Sequence, residues 1–129
     1  MKTTFYTLIL CCSLLTACQK QNDDNPTTVD LTAGTWRVSY YWDEKDETSD
    51  FSSFNFMFLS NGTLMAHTSS GAAVTGTWSQ TSTKLIISFT DPVLSELNDD
   101  WMITEKTAAS IKLKDDNPAQ DDQLHFTKN

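Results

Sequence analysis

The chain has 129 residues, nine of them basic and seventeen acidic, for a net charge of −8. That length suits one small domain, and that balance leaves no basic patch to neutralise the phosphates of a nucleic acid. All three cysteines, Cys11, Cys12 and Cys18, fall within the first eighteen residues, so a disulfide scaffold for the rest of the chain is excluded.

Lys2 is followed by an apolar stretch from Phe5 to Leu15. This is shorter than the roughly 20 residues that a permanent membrane-spanning helix needs. A basic start and a short apolar run match a secretory signal peptide. Leu15-Thr16-Ala17-Cys18 then resembles the bacterial lipobox. In lipoproteins of that family the cysteine thiol receives a diacylglycerol, and the peptide is cut just before it. The resemblance implies a signal peptide over 1–17 and lipidation of Cys18. Several acyl chains make a stable anchor where one alone binds marginally. Loss of 1–17 removes Lys2 and leaves eight basic against seventeen acidic residues, a balance of −9. Such a surface is not expected to attract anionic lipid, so the anchor alone would hold the chain to the membrane.

Residues 18–30 hold no large apolar side chain before Val29 and are expected to be a disordered tether. The run Gln19-Lys20-Gln21-Asn22-Asp23-Asp24 resembles the acidic export signals behind the lipidated cysteine of Bacteroidetes surface lipoproteins. The implied location is the outer membrane, with the domain facing the periplasm or the cell surface.

From residue 31 to 129 short aromatic and β-branched runs alternate with Gly, Asn, Asp and Ser clusters, as in an all-β domain. A period of two aligns Trp36, Val38, Tyr40 and Trp42 in the first strand and Phe54, Phe56 and Phe58 in the second. Asn61-Gly62 predicts a type I′ hairpin with positive φ at both residues. Further strands follow in "TLMAHT", "AAVTGTWSQ", "KLIISFT", "WMITEK", "SIKLKD" and "QLHFTK". The segment "DPVLSELNDD" (91–100) has room for one helical turn. About eight strands with short links predict an antiparallel up-and-down β-barrel. A β-sandwich is the alternative, with 43–53 and 91–100 as its crossovers.

Gly34-Thr35-Trp36, Phe56 to Thr63, Gly76-Thr77-Trp78 and Leu124-His125-Phe126 resemble the recurring motifs of the short lipocalin-like domains found in Bacteroidetes lipoproteins. The resemblance spans Leu31 to Lys128 and consists of fold motifs, not catalytic ones. Lipocalins pack an arginine over the first-strand tryptophan; Lys128 is the nearest basic residue here.

The predicted inward face is strongly aromatic. Trp36, Tyr40, Trp42, Phe54, Phe56, Phe58, Trp78 and Trp101 are the candidate ligand-binding residues, and the resemblance implies a small hydrophobic ligand. The same residues could equally fill the barrel as core. No catalytic residue is expected. The chain has no G-x-S-x-G elbow and no nucleophile with a base at a matching spacing. His67 and His125 lie opposite the apolar stripe without carboxylates at strand spacing, so neither metal nor any other cofactor is expected. On the outer face, Tyr41, Met57, Leu59, Met65, Ile86 and Met102 could form a partner patch if they adjoin. The acidic run 43–50 is expected at one mouth of the barrel. Two functions follow for a non-enzymatic, lipid-anchored protein. One is a lipocalin-like carrier of a small apolar ligand. The other is an accessory or inhibitory interaction module with a packed interior.

Overall fold

The computed structural model describes residues 29–129. Cys18, the signal peptide over 1–17 and most of the tether expected over 18–30 lie outside the described residues. Nine strands follow in order: β1 (Trp36–Asp43), β2 (Lys45–Asp46), β3 (Phe54–Phe58), β4 (Thr63–Thr68), β5 (Ala73–Gln80), β6 (Lys84–Ser88), β7 (Asp99–Lys106), β8 (Ser110–Lys114) and β9 (Gln123–Lys128). Short 3-10 turns cover Thr48–Phe51 and Leu94–Leu97. All neighbouring strands are antiparallel, and β1 pairs β9 along its length. This closes an eight-stranded up-and-down barrel of β1 and β3 to β9, with β2 a flap on the end of β1. No sandwich forms, because one continuous sheet contains every strand.

Closure buries two sheet edges at once, which is why so short a chain needs no other edge protection. The contact between β1 and β3 is narrow and is registered only at Trp36↔Phe56. Beyond it the segment after β1 takes the place of β3. Glu47 N donates to Tyr41 O (3.0 Å), and Tyr41 N donates to Thr48 Oγ1 (2.9 Å).

The Asn61-Gly62 turn joins β3 to β4 as expected, with different geometry. Asn61 is not in the left-handed region; Gly62 is, at φ 85°. Gly62 N donates to Leu59 O (3.0 Å) and Leu59 N to Thr63 O (2.8 Å). The loop is therefore Ser60-Asn61-Gly62, a turn completed by a left-handed glycine. Asn61 contributes its side chain, Oδ1 accepting from Thr63 N at 3.0 Å.

Antiparallel order sends the segments 43–53, 68–72, 89–98 and 115–122 to one end of the barrel. The chain enters at the other, where Leu31 is buried beneath Trp36. The first end is closed by apolar side chains from the two irregular segments. Phe51, Leu94 and Leu97 are fully buried there. Tyr41 links the segments, meeting Phe51 edge-on (5.1 Å between centroids) and donating its hydroxyl to Glu96 O at 2.8 Å. Asn98 ties down the second segment, accepting from Phe89 N (2.6 Å) and donating to Phe89 O (2.8 Å).

Candidate functional site

Of the eight candidate ligand-binding residues, the structure gathers six around the interior. Trp36, Phe56, Phe58 and Trp101 are essentially inaccessible, and Phe54 and Trp78 pack partly buried against them. The expectation for Tyr40 and Trp42 is corrected: both lie on the outer face. Between Val38 and Tyr40 the register with β9 slips by one residue, with Ser39 as the bulge. One extra residue reverses the in–out alternation of everything after it. Tyr41, expected outside, therefore points inward and is 3% exposed. A second bulge, between Ile103 and Glu105, turns Lys106 toward the chain-entry end. There its Nζ donates to Gln80 Oε1 at 3.0 Å, and burial lowers its pKa.

The interior is filled by interlocking rings. Phe126 meets Phe56 at 5.4 Å and Phe58 at 5.7 Å, and Phe58 meets Trp78 at 5.3 Å, all edge to face. This is the arrangement that aromatic quadrupoles favour. Among the described residues no pocket opens between these rings. The polar tips are also occupied. Trp36 Nε1 donates to Leu31 O (3.0 Å), Trp78 Nε1 to Leu59 O (2.9 Å) and Trp101 Nε1 to Leu97 O (2.9 Å). No buried side-chain nitrogen or oxygen among the described residues lacks a partner. A ligand pocket needs space and a few polar groups aimed into it, and this interior offers neither. At the chain-entry end, Lys128 Nζ lies 5.1 Å from the Trp36 ring centroid, a cation–π contact.

Charge is distributed unevenly along the barrel axis. Of the fifteen acidic residues in 29–129, thirteen lie in 43–50, 91–100 and 115–122, all at the end remote from chain entry. Adjacent strand ends bring Asp43, Asp122, Asp115 and Asp99 together. Burial first, then the neighbouring Asp43, raises the pKa of Asp122; burial also raises that of Asp99. Burial and the surrounding carboxylates raise that of the Tyr41 hydroxyl. Asp115 is 7% exposed, and its carboxylate accepts from Asn117 N at 2.8 Å. Among the described residues no three His, Cys, Asp or Glu side chains are arranged to hold a metal ion.

A carboxyl whose folded pKa exceeds its unfolded value binds protons more readily in the folded state. Ionising it then costs stability at neutral pH, and the cost disappears as pH falls into the carboxylate range near 4. Asp122→Asn is therefore expected to raise Tm at pH 7 by about 2 °C, on the scale of a surface substitution. The gain should vanish at pH 4. Thermal melts of both proteins at the two pH values check it; an Asn variant that is less stable at pH 7 would contradict the assignment.

The outer apolar residues do not form one patch. Met57 and Met65 face each other across β3 and β4. Ile86 pairs with Ser79 and Asp100, and Thr75 and Ser79 of β5 separate it from Met65. His67 and His125 lie on the outer face, on strands far apart in the sheet.

No protein-family model matches the chain, and no curated protein is similar to it. A solved structure does share its architecture: the crystal structure of a DUF4847 family protein from Bacteroides vulgatus. The TM-score is 0.56 at 15% identity, covering 77% of this chain and 94% of that one. At that identity the likeness concerns the fold alone. The two chains share a barrel.

Proposed function

We propose that this protein is a lipid-anchored, non-catalytic interaction module of the bacterial cell envelope, with the barrel as its packed scaffold. The filled interior carries this reading. A small protein that uses its whole inside as core keeps its working surface outside. The carrier function suggested by the lipocalin-like motifs gains no support from an interior without space or unpaired polar groups. The anchor rests on the Leu15-Thr16-Ala17-Cys18 motif, and the Bacteroides neighbour is consistent with a Bacteroidetes-type barrel. The outer-membrane location rests on the resemblance of the run Gln19 to Asp24 to the export signals of Bacteroidetes surface lipoproteins.

The acidic end is the surface this reading assigns to the partner. It projects away from the anchored end and crowds carboxylates whose mutual repulsion a basic partner would relieve. Anchoring is tested by metabolic labelling with a fatty-acid analogue. The full chain should carry label and sediment with membranes, and Cys18→Ser should do neither. The partner is tested by photo-cross-linking in the host from a reactive residue at Glu44 or Asp116. One discrete heterologous adduct, weakened by high salt, is expected from this end. Its absence from both positions would contradict the reading.

A further inference from the structure

Residues 51–83 hold no aspartate, glutamate, lysine or arginine. They contain β3, β4 and β5, so these three strands of a strongly acidic barrel carry no charged side chain. On their outer face the register of β3 against β4 brings three soft or nitrogen donors together. Met57 lies directly opposite Met65, and His67 follows two residues after Met65, opposite Asn55. All three are half-buried. Directly opposed Cβ atoms of an antiparallel pair are about 4.5–5.5 Å apart and diagonal ones about 7–8 Å; same-face neighbours along one strand are roughly 7 Å apart. Methionine is long and unbranched, so two thioether sulfurs and one imidazole nitrogen can meet at a point above the sheet. The frame beneath them is rigid. β3 and β4 are paired from Phe54↔Thr68 to Phe58↔Leu64, and the alternate residues Phe56, Phe58, Leu64 and Ala66 are buried. Across β5, His67 faces Ala73 and Met65 faces Thr75, small groups that leave room. Among the described residues, side-chain hydrogen bonds at β4 are confined to its ends, Thr63 and Thr68, and the His67 ring is not engaged. Packing alone explains a cross-strand methionine pair; it does not explain the free imidazole beside that pair.

We propose that Met57, Met65 and His67 bind one soft monovalent cation, Cu(I) or its redox-inert stand-in Ag(I), through two thioether sulfurs and one imidazole nitrogen. Thioether sulfur selects Cu(I) over harder ions, and imidazole suits copper as well. The uncharged surroundings act in the same sense. Calcium and magnesium take carboxylate and carbonyl oxygens, and β3, β4 and β5 supply no carboxylate. A structural zinc ion takes four ligands from cysteine, histidine and carboxylates, and His67 is alone in that class on this face. No metal was expected from the sequence because neither histidine has a carboxylate at strand spacing. That criterion passes over thioethers, which only the β3–β4 register brings beside His67. The net charge of −8 draws cations toward the molecule as a whole, and no ammonium or guanidinium on these three strands repels one at the site. The site depends neither on the lipid anchor nor on the acidic end.

The test uses the full chain in mild detergent with Cys11→Ser, Cys12→Ser and Cys18→Ser, because thiolates would take a soft ion first. Its methionines carry carbon-13 at the methyl group. The chain has four, Met1, Met57, Met65 and Met102, each giving one methyl resonance. One equivalent of Ag(I) should shift the resonances of Met57 and Met65, assigned by Met57→Leu and Met65→Leu, and leave the other two in place. Under anaerobic reducing conditions, one equivalent of Cu(I) should be held in competition with bicinchoninate. Met57→Leu/Met65→Leu and His67→Gln, with unchanged far-ultraviolet circular dichroism, should each weaken that binding by about tenfold or more, since losing even an outer partner of a metal site costs about 10–100-fold. The methyl shifts are read on the parent chain and decide the matter even where a variant fails to fold. No shift at one equivalent, or equal shifts at all four methyls, would overturn the site. His67→Gln that binds Cu(I) as tightly as the parent would overturn it too and leave Met57 and Met65 as a packing pair.

Discussion

Gly76→Ala is expected to cost about 3 kcal/mol or more and to lower Tm by more than 10 °C. A methyl group there would collide with the carbonyl oxygen of Ser88 and lie 2.5 Å from Phe89 Cδ1 and 2.8 Å from Phe89 Cε1. Overpacking usually costs about 1–3 kcal/mol because side chains turn aside. The Ser88 oxygen belongs to the neighbouring strand's backbone and cannot turn. Phe89 is 3% exposed and sits above Asn98, which holds its backbone at both N and O. The stiffer unfolded chain of the alanine variant returns only about 0.4–1 kcal/mol. Each kcal/mol is worth roughly 4–8 °C in a domain of this size, so chemical and thermal unfolding both read the effect. Gly71→Ala makes the comparison, since nothing lies within 4 Å of its added methyl group. It carries only the strain of φ 84° and should cost about 1–2 kcal/mol.

Phe126→Ala is expected to cost about 3–5 kcal/mol, the range for removing a large ring from a core that can only partly collapse. Phe126 is fully buried and touches both Phe56 and Phe58 edge-on, so its loss takes an edge-on neighbour from each of two rings. Against a typical stability of about 5–15 kcal/mol, the variant should be marginal at 37 °C. Thr127→Ala, one residue on and facing outward, should stay within about 0.5 kcal/mol. Equilibrium denaturation in urea separates the two outcomes. A Phe126→Ala variant as stable as Thr127→Ala would mean that the interior is not the continuous core described.

The strand order was legible because strict alternation and glycine-bearing turns are local signals. Phe56 and Phe58, Leu85 and Ile87, and Leu124 and Phe126 all alternate as expected and all point inward. The face of Tyr40, Tyr41 and Trp42 was not legible. A bulge is a one-residue change of phase, and it can be seen in sequence only when a polar residue marks the slip. Three successive aromatics give no such mark. Phe51, Leu94 and Leu97 were missed as core for a different reason. They lie in short 3-10 turns flanked by acids, where no period singles out an inward position. They close one end of the barrel, and without them the space between strands could not be judged full or empty. The aromatic residues of the candidate site were found from their type, but whether they line a pocket depends on how these distant segments pack.

We infer that the aromatic residues of the barrel serve as core rather than as a ligand pocket. Native mass spectrometry of the full protein, extracted in mild detergent from its own host's membranes, distinguishes the two. The predicted mass is that of the chain from Cys18 onward with its acyl groups and no further organic molecule, before and after incubation with a host lipid extract. A further stoichiometric mass of a small molecule, removed by organic solvent and restored from the extract, would mean that the barrel is a carrier and not a packed core.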